Sequence, residues 1–209
     1  MNIIFIISSP SGAGKTTLSS IIQKKRANSV KRVVTHTTRK PRKNELDKID
    51  YFFTDEEGFK AGIRRGEFVE YAIVHNNFYG TSKKALVDIL ESGYDALLAI
   101  DVAGAKNVMR SFDNAVSVFI LPPSFDEWIK RIKKDGVRQD MNIRLHTAIS
   151  ELDEVSLFDY CIVNDDIDSS VKSLESIIDS EHRRFKFLDK EKVDLIKKLK
   201  QDTKNFLED

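Results

Sequence analysis

The stretch that most constrains this chain is "FIISSPSGAGKTTLSS", residues 5–20, where an apolar run stops at a small-residue loop followed by a lysine and two threonines. The phosphate-loop pattern G-x-x-x-x-G-K-S/T sits between a strand and a helix. Its eight positions are filled here by Ser9, Pro10, Ser11, Gly12, Ala13, Gly14, Lys15 and Thr16, with Thr17 following. Ser9 replaces the usual first glycine, but Gly12 and Gly14 still let the backbone curl so that successive N–H groups face inward as an anion nest. The helix that follows adds its positive dipole end. Lys15 is placed to reach the β- and γ-phosphates of a nucleotide, and the Thr16 hydroxyl to ligate Mg²⁺. A plain Gly/Ser turn capping a helix would need no lysine. The loop therefore predicts a nucleoside triphosphate site and leaves the acceptor of any transferred phosphate open.

Short apolar runs at residues 3–8, 32–36, 96–101, 116–121 and 160–163 read as strands buried on both faces. Helical patterns lie between them, at 16–25, 125–134 and 143–155. This alternation predicts an α/β fold with a mainly parallel sheet flanked by helices. The rhythm breaks over residues 37–94, which open with the basic turn "TTRKPRKNE" and continue through "DYFF" and "NNFYG", so an inserted mixed subdomain is expected there. The polar segment 133–142, "KKDGVRQDMN", reads as a lid between two helices. From Asp168 onward the pattern is helical, with Val171, Leu174, Ile177 and Ile178 on one face, and the last stretch reads as a solvated amphipathic helix or an oligomer contact. One domain of 209 residues is expected, with a core of 1–34, 95–124 and 155–209, an acceptor subdomain of 35–94 and a lid of 125–154.

The formal net charge of +1 argues against a global nucleic-acid or membrane footprint, so an anion site must be local. The single cysteine, Cys161, lies in "DYCIVND" and is expected to be a buried, inert thiol. His36, His75, His146 and His182 show no metal-ligand spacing. "NIIFII" lacks the basic flank of a signal peptide, and no stretch is long and apolar enough to span a membrane, which makes a cytoplasmic protein the expectation.

Read together and in order, "SPSGAGKT", "THTTRKPR", "EYAIVHNNFYGTS" and "IVNDD" resemble the guanylate kinase family, from Ile3 to about Arg184. That resemblance implies a phosphate-loop core with a GMP-binding subdomain and a helical lid. The implied reaction is a reversible, Mg²⁺-dependent phosphoryl transfer from ATP to GMP (and dGMP), giving ADP and GDP in purine nucleotide metabolism. Arg39 and Arg42 match arginines that hold the acceptor phosphate, for which bidentate guanidinium pairing suits a dianion that must be aimed. Tyr51 and Tyr79 match phenols donating to the same phosphate. Guanine presents N1–H and an amine as donors and O6 as an acceptor. Glu70 and Asp101 match the family's carboxylates on the donor edge, and Thr35 and Thr81 stand at its serine or threonine positions. Asp101 is also expected near the Mg²⁺ through a water. Arg131 and Arg144 match lid-flanking arginines that clamp the donor phosphates, and Asn164 an asparagine near the adenine. Lys15, Arg42, Arg131 and Arg144 form the implied catalytic set, and the molecule is expected to be a monomer or homodimer.

Four features depart from the family pattern: Ser9, Ala99 and Ala103 in "AIDVAG", and a short lid with Asp135 where an arginine often sits, although Arg138 lies close by. Two rival readings are a related kinase with a sugar-phosphate acceptor and a non-catalytic phosphopeptide-binding relative. The first would not need Glu70 and Asp101, and the second would not need Lys15 and Thr16.

Overall fold

In the computed structural model, residues 2–42, 45–74, 76–134 and 141–208 are described. Five strands form a fully parallel sheet: β1 (Ile4–Ser8), β2 (Val30–Arg32), β7 (Asp95–Ala99), β8 (Ala115–Leu121) and β9 (Tyr160–Val163), in the order β2-β7-β1-β8-β9. The chain therefore has the α/β class that the alternation predicts. Period-two geometry sends side chains of β1 to opposite faces. Ile3, Phe5 and Ile7 pack with Leu18 and Ile22 of α1 (Lys15–Lys25) and with Val171, Leu174 and Ile178 of α7 (Ile167–Glu181). Ile4 and Ile6 pack the other way, with Leu86 of α3 (Lys83–Glu91) and Ala105 and Val108 of α4 (Val102–Ser111). Burial on both faces is why these strands read as continuous apolar runs.

The second sheet has mixed pairing in the order β4-β3-β6-β5, from β3 (His36–Thr37), β4 (Phe52–Phe53), β5 (Phe68–Val74) and β6 (Asn77–Ser82). Its apolar side is aromatic: Phe59 of α2 (Glu56–Arg64) stacks on Phe68 at 4.6 Å, and Phe78 lies 5.2 Å from Phe59. Two helices, α5 (Phe125–Lys134) and α6 (Met141–Asp153), pack through Trp128, Ile132 and Ala148. The predicted lid positions Asp135 and Arg138, like His75, lie outside the described residues. A final helix, α8 (Lys190–Glu208), exposes Leu195, Leu199 and Phe206.

Two expectations are corrected. Residues 32–36 are not one strand: β2 ends at Arg32, and β3 begins at His36 in the other sheet. Between them Val33 N–H still donates to Leu97 O (3.0 Å), while Thr35 O already accepts from Phe52 N–H (2.9 Å). The apolar run is thus a crossing from one sheet to the next. Cys161 is exposed, not buried, because β9 is an edge strand whose alternate residue Ile162 faces the core and whose Cys161 and Val163 face outward. No helix among the described residues is long and apolar enough to cross a membrane.

Candidate active site

A cleft of about 810 Å³ opens above the C-terminal ends of the parallel strands and reaches across to the second sheet. Its donor side is the glycine loop. Gly12 and Gly14 both adopt positive φ, 83° and 107°, a region open to glycine at little steric cost. At Gly14 a side chain would also collide with the amide of Asn164. Gly14 caps α1 without a side-chain hydrogen bond, and the first turn of α1 carries no acidic residue. Its N–H groups and positive dipole end are therefore left for an external anion.

The loop is braced from outside. Trp128 Nε1–H donates to Ser11 O (2.8 Å), Asn164 Nδ2–H donates to Ala13 O (2.8 Å), and Ser170 Oγ–H fixes Asn164 Oδ1 (3.0 Å). Arg131 Nη1–H donates to the backbone carbonyl of Asn164 (2.9 Å). Of the predicted loop residues, Ser9, Pro10, Ser11, Gly12, Gly14, Lys15, Thr16 and Thr17 line the cleft, while Ala13 is buried beneath it.

Lys15 Nζ–H donates to Ile100 O (3.0 Å) at the end of the sheet. Burial pushes its pKa down, and the carboxylates of Asp101 and then Glu151 pull it back up. Glu151 is a site residue that the motif reading missed. Burial raises its carboxyl to about 7, against the pull of Lys15 and with the repulsion of Asp101. The signal was available in spacing, since Arg144, Thr147 and Glu151 stand at i, i+3 and i+7 on α6 and all line the cleft. Arg144 is 8% exposed, and its Nε has no hydrogen-bond partner among the described residues. A buried guanidinium donor facing a cleft without an acceptor calls for an anion.

The opposite wall comes mainly from the other sheet, with Asp101 from the end of β7. Tyr51, Tyr79, Arg42, Thr35, Glu70 and Asp101 line the cleft, while Arg39 and Thr81 stand behind that wall. Arg39 Nε–H donates to Tyr79 Oη (3.2 Å), and Arg39 Nη2 pairs with Glu45 (2.8 Å), whose other oxygen accepts from Arg42 N–H (2.8 Å). Glu45 was also missed; it is the acid that follows the basic turn, and it ties both arginines together. Arg32 is a third unanticipated lining residue, with Nη2–H donating to Asp50 O (2.7 Å) just before Tyr51. Burial raises the Tyr51 phenol, so it stays a donor.

Glu70 is only 6% exposed, and its Oε1 accepts from Thr81 Oγ1–H at 2.5 Å. Burial lifts its carboxyl to about 7, with Thr81's hydrogen bond opposing and Asp101 adding to the lift. Asp101 caps α4 by accepting from Gly104 N–H (2.7 Å). Ala99 lines the cleft, whereas Ala103 points to solvent on α4.

No group of three or more histidine, cysteine or acidic residues forms a metal cage among the described residues. The Thr16 hydroxyl and Asp101 carboxylate are two hard oxygen donors on the same cleft. That small set suits Mg²⁺, which commonly takes one or two protein oxygens and completes its octahedron with phosphate oxygens and water.

A family model described as guanylate kinase matches residues 1–181, leaving α8 outside it. The guanylate kinase of Clostridioides difficile (strain 630) is 40% identical over 184 residues, covering 87% of this chain and 89% of that protein. The guanylate kinase of Caldanaerobacter subterraneus subsp. tengcongensis is 41% identical over 185 residues, with the same coverage of 87% and 89%. The crystal structure of guanylate kinase from Anaplasma phagocytophilum superposes with a TM-score of 0.75 at 32% identity, covering 88% of each chain. The SH3-kinase fragment of tight junction protein 3 superposes with a TM-score of 0.50 at 11% identity over 88% of this chain and 58% of that one, a likeness of fold alone. The chain belongs to the guanylate kinase family and is a kinase.

Proposed function

We propose that the protein transfers the terminal phosphoryl group of ATP to GMP or dGMP, giving ADP and the corresponding nucleoside diphosphate, within cytoplasmic purine nucleotide metabolism. The observation that carries this reading is the buried Glu70 carboxylate, held from behind by Thr81 and facing the same cleft as the unoccluded N-terminus of α1. A carboxylate held in a dry wall accepts from guanine N1–H and its amine. Adenine offers no donor at ring N1 and leaves that carboxylate unpaired, at a cost that supplies discrimination.

On the donor side the loop amides, Lys15, Arg131 and Arg144 surround the β- and γ-phosphates. Phosphoryl transfer asks mainly for positioning and positive charge, and no protein nucleophile is required. Arg42, with the Tyr51 and Tyr79 phenols, holds the acceptor phosphate so that one oxygen points at the γ-phosphorus, and Arg39 adds its charge from behind through Tyr79. Thr16, with Asp101 through a water, would hold Mg²⁺, which when bound neutralises charge on the β- and γ-oxygens. Asn164 supports the loop next to the adenosine end. Closure of α5–α6 and the second sheet over both substrates would keep water from the γ-phosphate.

A coupled assay of ADP production with GMP, dGMP, AMP and ribose phosphates as acceptors tests the reading. Turnover with GMP at least about a hundredfold more efficient than with AMP is expected. A preference for a ribose phosphate would establish a sugar-phosphate kinase instead, and no turnover with any acceptor would contradict a catalytic role.

A further inference from the structure

The N-terminus of α4 contains a glycine that its backbone does not require. Gly104 is absent from the positive-φ glycines and is buried in the first turn of a helix, where alanine is the more favourable residue. What sets it apart is its surroundings. A Cβ placed there would stand 2.6 Å from Glu70 Oε2, 3.1 Å from Glu70 Cδ and 3.3 Å from Asp101 Oδ1. The clashing atoms belong to the far end of a side chain, so the carboxylate rather than the helix would give way. Glu70 has little freedom to move without loss: its Oε1 is held by Thr81 Oγ1 at 2.5 Å, and Thr81 is fully buried. Asp101, bound to Gly104 N–H at 2.7 Å, fixes the same helix end that the Glu70 carboxylate leans on.

We propose that Gly104 is a positioning residue for base selection, its missing side chain being the seat of the Glu70 carboxylate. The proposal rests on the reading of Glu70 as the group that faces guanine. Through this seat the second sheet, which carries Glu70 and Thr81, registers against the core helix that carries Asp101. The two carboxylates are thereby set at one spacing relative to each other, which a planar base edge demands.

Gly104→Ala separates this role from a structural one, because helix propensity and base recognition are expected to move in opposite directions. The thermal midpoint should stay equal to or above that of the parent. KM for ATP should change less than about twofold, and KM for GMP should rise about tenfold with kcat little changed. Coupling supplies the second readout. In a Glu70→Ala background, where no carboxylate remains to be displaced, adding Gly104→Ala should alter KM for GMP by less than about twofold. Full additivity of the two effects would overturn the proposal, as would an unfolded or clearly destabilised single variant, which would place the role of glycine in the fold. If Glu70→Ala alone leaves KM for GMP unchanged, the reading of Glu70 fails. If Glu70→Ala raises it and Gly104→Ala does not, only the inference about Gly104 fails.

Discussion

The two sides of the cleft hold anions by different means. The donor side is built around backbone: a loop bent by Gly12 and Gly14 and the open N-terminus of α1, with Lys15 in the loop and Arg131 and Arg144 from the two helices beside it. The acceptor side is side chains drawn from several elements: Arg39 beyond β3, Glu70 on β5, Tyr79 and Thr81 on β6, and Asp101 ahead of α4. Backbone amides grip any triphosphate alike, since each nucleotide presents the same oxygens. Desolvated side chains choose between bases, since a wrong partner leaves one of them unpaired. On the proposed reading, affinity for the donor and choice of the acceptor are separable properties of one cleft.

Lys15→Ala should break the donor side most severely. Loss of the one loop cation is expected to lower kcat by about a hundredfold to a thousandfold in a coupled assay. The thermal midpoint should change little: Lys15 Nζ makes one hydrogen bond among the described residues, to Ile100 O, and the attraction lost to Asp101 and Glu151 is offset by no longer burying an ammonium. Normal turnover would remove the loop from the chemistry.

Glu70→Gln should break the acceptor side alone. KM for GMP is expected to rise by about thirtyfold or more while KM for ATP moves less than about threefold. The pH dependence sharpens the same point. Because burial, reinforced by Asp101, holds the Glu70 carboxyl at about 7, kcat/KM for GMP should climb as pH rises through about 7 and then level off. Glu151 also lies at about 7, so the part of the profile that vanishes in Glu70→Gln is the part assignable to Glu70. Stability of the free protein runs the other way. Between the ordinary carboxyl value of 4.5 and about 7 the folded state binds more protons than the unfolded one, so stability falls as pH rises across that window. Glu151 adds a fall of the same sign over the same window, so Glu70→Gln should make the fall shallower without abolishing it, measurable by denaturant titration at several pH values.

A smaller effect is expected from Glu45→Ala. Freed from Glu45, Arg39 loses its fixed fork and Arg42 its backbone anchor, so KM for GMP should rise about fivefold with kcat nearly unchanged. An unchanged KM would show that the arginines find the phosphate without that brace. The smallest effect is at Cys161, which does not line the cleft. Although the residue is exposed, partial desolvation pushes its thiol up, so alkylation should be slower than for a free thiol and should leave turnover intact.

The two sides also differ in how far the sequence disclosed them. A phosphate loop is contiguous, so its geometry follows from eight adjacent residues. The parallel sheet was equally legible, because burial on both faces leaves unbroken apolar runs. The acceptor side depends on where separate segments meet. Residues 32–36 looked like one strand because apolar character does not reveal that the chain changes sheets at Val33–Thr35. Cys161 looked buried because four apolar-flanked residues do not announce an edge strand. Glu151 and Glu45 carried only weak spacing signals, and their importance comes from Lys15 and Arg39 lying opposite them. The identities of Glu70, Thr81 and Asp101 came from resemblance to a family. Their mutual support, and the empty seat at Gly104, came only with the fold.

Calorimetric titration with GMP and inosine monophosphate tests the central claim most directly, since the two differ only in the exocyclic amine that the Glu70 carboxylate is placed to accept from. GMP should bind at least about tenfold more tightly, and Glu70→Gln should bring the two affinities together. Equal affinities in the parent protein would contradict that claim.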